Sequence, residues 1–245
     1  MSSALTFDPR QVPVSRVDHD LPAVPHAHLL PEALRQRFAS PPAWTPEVVR
    51  EPSFADRPPA QAAVLIPIVL RDEVDGGATI LLTQRTAHLS THSGQIAFPG
   101  GKVDPQDATV QAAALREAHE EVGLAPERVQ LIGQLPVYVT GTAFLVTPVV
   151  GLVQPGFELT PNPGEVADVF EVPLAFLMNP AHHRRHRVDW QGRQREWFSM
   201  PYLEQRTGSQ GHPEMVERFI WGATAGMLRN FYRFLLADTH AVEVQ

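Results

Sequence analysis

The chain has 245 residues, 43% hydrophobic and 19% charged, enough to bury a core, and its length allows at most two domains. A formal charge of −7 and a pI of about 5.9 give no overall attraction to nucleic-acid backbones or anionic membranes, so neither is expected as a partner and a polyanionic ligand must be held locally. Cysteine is absent, which excludes disulfides, thiolate nucleophiles and thiolate zinc sites; with no apolar run of the roughly 18 residues that span a bilayer and no leader-like start, a cytoplasmic protein is expected.

Residues 1–60 hold nearly half of the chain's 24 prolines. Proline fixes φ and lacks a backbone donor, so this stretch predicts an extended arm interrupted by a short helix around Pro31 to Phe38. Packing or a homodimer contact is the role expected of it, and residues 61–240 read as one catalytic domain.

From Ala62 the run AAVLIPIVL predicts a buried strand, RDEVDGGA a hairpin turn, and TILLTQR a second strand ending at Arg85. A third strand, GQIAF at 94–98, runs into Pro99-Gly100-Gly101, where a tight loop is expected. Thr109 to Val122 predicts a helix, with Val110, Ala114, Ala118 and Val122 recurring along one flank and Gly123 placed to end it. Strands are expected at 129–135 and 144–153, and helices at 173–178 and 219–236. Strands adjoining interspersed helices imply an α/β (α+β) sandwich, a mixed sheet with flanking helices.

The chemistry concentrates on the helix at 109–122. At about 100° per residue, Glu117, Glu120 and Glu121 fall within an arc of roughly 100°, away from the alanine flank. On an exposed helix such a cluster costs only a few tenths of a kcal/mol and means little. Partly buried, at about 5–6 Å and an effective dielectric near 20, the repulsion rises to about 3 kcal/mol per pair, and a cation is needed. Hard divalent cations, Mg²⁺ or Mn²⁺, choose oxygen ligands and bridge a few carboxylates to substrate phosphates. The string R-E-x-x-E-E-x-G at 116–123 arises by chance in a chain this long with a probability on the order of 10⁻⁴, so coincidence is a poor account of it.

The segment Gly101 to Leu124 resembles the Nudix box, written G-x5-E-x7-R-E-U-x-E-E-x-G-U with U aliphatic. Asp107 stands where the pattern has Glu, eight residues rather than seven precede Arg116, and Ala118 fills an aliphatic position. Leu81 to Thr86, Leu89, His92 and Gly94 to Gly101 are similar to the signature of the coenzyme A pyrophosphatase subgroup, as are Glu165-Val166, Val172 to Leu174 and Trp221 to Ala225.

The resemblance implies metal-dependent hydrolysis of coenzyme A to 3′,5′-ADP and 4′-phosphopantetheine. It makes Glu117, Glu120 and Glu121 metal ligands, with Glu120, Glu121 or Glu165 acting on the attacking water. Arg85, His92 and Gly100 become substrate contacts, while Arg116, an always-charged fork, orients a neighbouring carboxylate. The basic run His182 to Arg187 is expected to be a solvated loop, with a clamp for the 3′-phosphate as the alternative. Two other functions stay open: pyrophosphatase action on another nucleoside diphosphate derivative such as ADP-ribose, NADH or a dinucleoside polyphosphate, and nucleotide binding without cleavage.

Overall fold

The computed structural model describes residues 8–53, 57–72, 77–86, 94–190, 193–208 and 211–238. The proline-rich arm forms a strand, β1 (Val14–Val17), and two helices, α1 (His26–Leu29) and α2 (Pro31–Ala39). Pro31 occupies the first turn of α2, where its missing N–H costs no hydrogen bond. Leu34 on that helix is wholly buried, so part of the core comes from the arm.

The apolar run that follows forms β2 (Ala60–Val69), joined to β3 (Thr79–Arg85) by the expected hairpin through the pairs Ile68/Ile80 and Val69/Thr79. Next come β4 (Ile96–Ala97), β5 (Gly100–Lys102), α3 (Val110–Val122), β6 (Val129–Gln134), β7 (Tyr138–Val139) and β8 (Phe144–Val153). The chain continues through β9 (Val166–Pro173), α4 (Leu174–Leu177), β10 (Arg184–Trp190), β11 (Arg193–Thr207), β12 (Pro213–Trp221) and α5 (Gly222–Leu236).

One mixed sheet has the order β4-β3-β2-β8-β6, with β5 on β2, β7 on β8 and β9 on β3. Its centre is the parallel pair β2/β8, in register from Ala60/Phe144 to Val69/Val153. Ala62, Ile66 and Ile68 face one core cluster while Ala63, Leu65 and Val69 face another. A strand covered on both sides needs apolar residues at every position, which is why its sequence shows no alternation. Helix α3 covers one side through Ala113, Ala114, Ala118 and Val122, and α2 and α5 cover the other. The expected sandwich of a mixed sheet between helices is therefore formed.

A second, antiparallel sheet, β1-β10-β11-β12, packs against α5 through Phe198, Met200 and Ile220. It corrects two expectations. The basic run at 182–187 is not a solvated loop: from Arg184 it is strand β10, which leaves Arg184 and Arg187 exposed while the imidazoles of His183 and His186 turn inward. His183 and His186 are buried, with His183 Nε2 donating to the Leu177 carbonyl at 2.8 Å and His186 Nε2 paired with Ser199 Oγ at 2.8 Å. Phe219 to Trp221 close strand β12 rather than opening a helix, and α5 begins at Gly222. Among the described residues no helix is long and apolar enough to cross a membrane.

Candidate active site

The acidic helix α3 is fixed at both ends by local chemistry. Thr109 caps it by accepting from the Ala112 N–H at 3.1 Å. Gly123 ends it with a φ of 73°, a left-handed conformation that a Cβ disfavours. With Ala114, Ala118 and Val122 turned into the core, the carboxylates are carried to the edge beside β5.

Glu121 is only 4% exposed and accepts from the Gly100 N–H at 3.2 Å, with Arg85 Nη1 3.9 Å away. Burial pushes its pKa up to about 7, against the pull of that N–H and of Arg85, and Glu117 and Glu165 add to the rise. Glu117 is half-buried and likewise raised, chiefly by burial and against the pull of Arg116. Two ionised carboxylates in one poorly solvated place are unfavourable until a cation joins them. Among the described residues no three His, Asp or Glu side chains form a ready-made cage. The donor set suits a hard cation that takes two carboxylates and completes its shell with water and substrate phosphate.

Arg116 organises the exposed side of the cluster. Its Nη1 donates to Glu117 at 2.9 Å and to Glu120 at 3.0 Å, and its Nε and Nη2 each donate to Asp107 at 2.9 Å. Asp107 is thus spent on Arg116 and on the Asp104 N–H, and is held below the usual carboxylate range by them. Glu120 stands at the exposed rim. Glu165, at the start of β9, is half-buried, near enough to both Glu117 and Glu121 to raise their pKa values, and it accepts from Asn162 Nδ2 at 3.3 Å.

The two glycines before the helix serve by what they lack. A Cβ on Gly100 would lie 2.6 Å from Val64 Cα, and one on Gly101 would lie 2.5 Å from the Glu117 carboxylate. Both line a cleft of about 600 Å³, and the carboxylates stand immediately behind that edge. Arg85 lines the cleft too, with a buried Nε–H that has no acceptor among the described residues. His92, expected beside it, lies outside the described residues.

Much of this cleft was not signalled by the acidic motif. Its apolar wall includes Phe98, Phe144, Trp197, Trp221 and Met227, and the arm contributes Glu47, Val48 and Glu51. Glu51 is held by the Tyr138 hydroxyl at 2.9 Å and the Gly141 N–H at 2.8 Å. Lys102, also on the lining, is the one lysine of the chain, a singularity that a residue count reveals.

The NUDIX domain family matches residues 59–219. Over 172 residues the chain is 44% identical to the uncharacterized Nudix hydrolase NudL of Enterobacter sp. (strain 638), covering 69% of this chain and 79% of that protein. To the protein of the same description from Shigella flexneri serotype 5b (strain 8401) it is 44% identical over 187 residues, 75% and 85% of the two chains. Among solved structures it is similar to a Nudix hydrolase from M. smegmatis, RenU, with 28% identity, a TM-score of 0.41 and coverage of 48% and 73%. A MutT/nudix family protein from Enterococcus faecalis gives 16% identity, a TM-score of 0.43 and coverage of 72% and 62%.

Proposed function

The chain belongs to the Nudix hydrolase family, and we propose that within it the protein hydrolyses the pyrophosphate bond of coenzyme A or its derivatives, releasing 3′,5′-ADP and 4′-phosphopantetheine. The observation that carries this reading is a cleft with two dissimilar ends. One end meets Arg85, Gly100 and Gly101, with Glu117 and Glu121 against those glycines; the rest combines the aromatic side chains of Phe98, Phe144, Trp197 and Trp221 with charged groups, Glu47, Glu51, Arg185 and Glu196 among them. Its volume of about 600 Å³ lies in the range of small-molecule sites, and it offers a long, weakly polar arm a place beside a diphosphate. The resemblance of Leu81 to Gly101 to the coenzyme A subgroup supports the same substrate.

A divalent cation, Mg²⁺ or Mn²⁺, held by Glu117 and Glu121 would neutralise diphosphate oxygens and lower the pKa of a bound water. Arg116 holds the Glu117 carboxylate in place, and the Gly100 N–H does the same for Glu121. Arg85, whose side chain lines the cleft beside Glu121, donates from its guanidinium to a diphosphate oxygen, a charge-assisted bond that orients the phosphorus for attack. Glu165 takes the proton of the attacking water, with Asn162 fixing its carboxylate. Glu120, exposed and tied to Arg116, serves as a further ligand.

The test is incubation with coenzyme A, ADP-ribose, NADH and diadenosine polyphosphates, each with Mg²⁺, Mn²⁺ or EDTA, with products identified by mass. Metal-dependent 3′,5′-ADP from coenzyme A is expected. Cleavage of a different substrate in its place discards the coenzyme A assignment.

A further inference from the structure

The far rim of the cleft is held by the arm. Residues 49–51 lie along β7 as one more short strand: the Glu51 N–H donates to the Val139 carbonyl at 2.8 Å, the Val139 N–H donates to the Val49 carbonyl at 3.0 Å, and Arg50 pairs with Val139 in parallel. Both oxygens of the Glu51 carboxylate are engaged, one by the Tyr138 hydroxyl and the other by the Gly141 N–H. Tyr138 is 2% exposed and stands so close to α5 that a Cβ on Gly226 would strike its hydroxyl. Its ring is wedged between the arm and α5 on the cleft lining.

What Glu51 fixes is the turn between β7 and β8, whose Thr140 and Thr142 line the cleft. Arg57 donates to the Thr142 carbonyl at 3.0 and 2.6 Å, and the N–H of Ala60, first residue of β2, donates to the Ala143 carbonyl at 3.0 Å. Gly141, Thr142 and Ala143 are thus gripped one after another. Ala143 has a φ of 60°, the only non-glycine residue in the left-handed region among those described. That conformation is disfavoured for an L-residue and persists only where the surroundings impose it, as they do beside ligand sites. The two threonine hydroxyls lie 2.9 Å apart, and Thr140 Oγ1 accepts from the Phe144 N–H. One hydroxyl hydrogen lies between them; the other has no acceptor among the described residues.

Lys102, Ala62, Val146 and Tyr138 stand abreast on β5, β2, β8 and β7. With neighbouring strands about 4.8 Å apart, Tyr138 lies about 14 Å from the β5 edge beside which Glu117 and Glu121 stand. The floor between is apolar, made by Ala62, Val64 and Val146. A group received at the rim therefore belongs to a part of the substrate well away from the bond that is cut, one that crosses an apolar floor and presents a hydrogen-bond acceptor.

We propose that the turn 140–143 is the specificity rim of the cleft, where the threonine pair donates to an amide carbonyl on the substrate's long tail, and that Glu51 is the positioning residue that holds the turn there. The proposal rests on the coenzyme A reading, whose substrate carries an amide-bearing pantetheine tail beyond the diphosphate.

The experiment titrates coenzyme A, and the methyl ester of 3′-phosphoadenosine 5′-diphosphate, which lacks the pantetheine tail, into the full-length protein in EDTA, following fluorescence quenching of Trp197 and Trp221 on the cleft wall. What the two compounds share cancels in the ratio of their Kd values. Wild type is expected to bind coenzyme A about tenfold or more tightly. Glu51→Ala combined with Tyr138→Phe strands no buried hydroxyl, and its ratio should fall to within about twofold of unity. Arg57→Ala, at an exposed grip on the same turn, keeps the test open if that double variant does not fold, and should lower the ratio in the same direction. Glu51→Gln, whose amide still accepts from Gly141 and donates to Tyr138, should keep the wild-type ratio. An unchanged ratio in the loosened variants, or an equal loss of affinity for both compounds, overturns the proposal. So does a loss in Glu51→Gln as complete as in the double variant, which would make charge rather than position the cause. With Mg²⁺ restored, preferred binding of coenzyme A without cleavage sinks the hydrolytic reading and leaves the rim standing, whereas cleavage with no preference sinks the rim alone.

Discussion

Replacing Glu121 by Gln should exchange turnover for stability. The carboxylate is 4% exposed and its pKa is pushed up to about 7 from an ordinary 4.5. The unfolded chain releases this proton at lower pH than the folded one, so between pH 4.5 and 7 stability falls as pH rises, and above pH 7 the whole loss is present. At about 1.4 kcal/mol per pH unit the ceiling is about 3 kcal/mol. Gln keeps an acceptor for the Gly100 N–H, now at 3.2 Å, but brings an amide that needs acceptors of its own. About half the ceiling, roughly 1–2 kcal/mol, should therefore appear. In urea titrations at pH 8 with EDTA, Glu121→Gln should unfold at higher denaturant than wild type. Adding Mn²⁺ should stabilise wild type and leave the variant nearly unmoved, while the variant's turnover falls about 100-fold or more. A variant less stable than wild type in EDTA, or one with wild-type turnover, refutes the reasoning.

Gly101→Ala should fold, because the atoms its methyl meets are the tip of the Glu117 side chain, yet turnover and Mn²⁺ affinity should drop about 10- to 100-fold; unchanged activity would show that Glu117 need not stand where it does. Burial lowers the His183 pKa to about 4 from 6.5, so the unfolded chain binds its proton first and stability declines as pH falls from 6.5 towards 4. By pH 5 the loss is about 2 kcal/mol, read as a drop in urea midpoint between pH 7 and 5 that His183→Gln should flatten. Asp18→Asn removes the anion shared by Arg16, Arg185 and the buried Arg229 and should cost about 3–5 kcal/mol in urea unfolding. A cost below 1 kcal/mol would mean that Glu47 alone suffices.

What could be read beforehand follows from which forces write periodic patterns. β2 and β8 are buried on both sides, and α3 carries its alanine flank and caps in adjacent residues, so their bounds were legible to within two residues. The acidic face of α3 was legible because helical geometry alone sets it. The second sheet was not, because the run His182 to Arg187 buries His183 and His186 and draws Arg185 to Asp18 while Arg184 and Arg187 stay exposed, and the buried imidazole nitrogens are met by Val12, Leu177, Ser199 and Arg229. No hydropathy alternation marks such a strand. The roles of Asp107 and the arm were hidden for the same reason. Arg116 reaches Asp107 across a loop, and Glu47 and Glu51 enter the cleft wall through contacts with Arg229 and Tyr138, far along the chain.

The closing of the arm onto α5 also bears on the order in which the molecule assembles. Arg37 donates to the carbonyls of Leu235 and Ala237, 198 and 200 positions away; Asn230 holds Val48 through both its amide atoms, and Tyr232 donates to Pro22 across 210 positions. Strand β1 likewise finds its partner only in β10. Segments made first are thus docked by segments made last, and contacts of such long range form slowly. During synthesis the arm meets its first native partners in β6 and β7 and its last only when α5 has left the ribosome, so its docking proceeds in stages and is completed by the final helix.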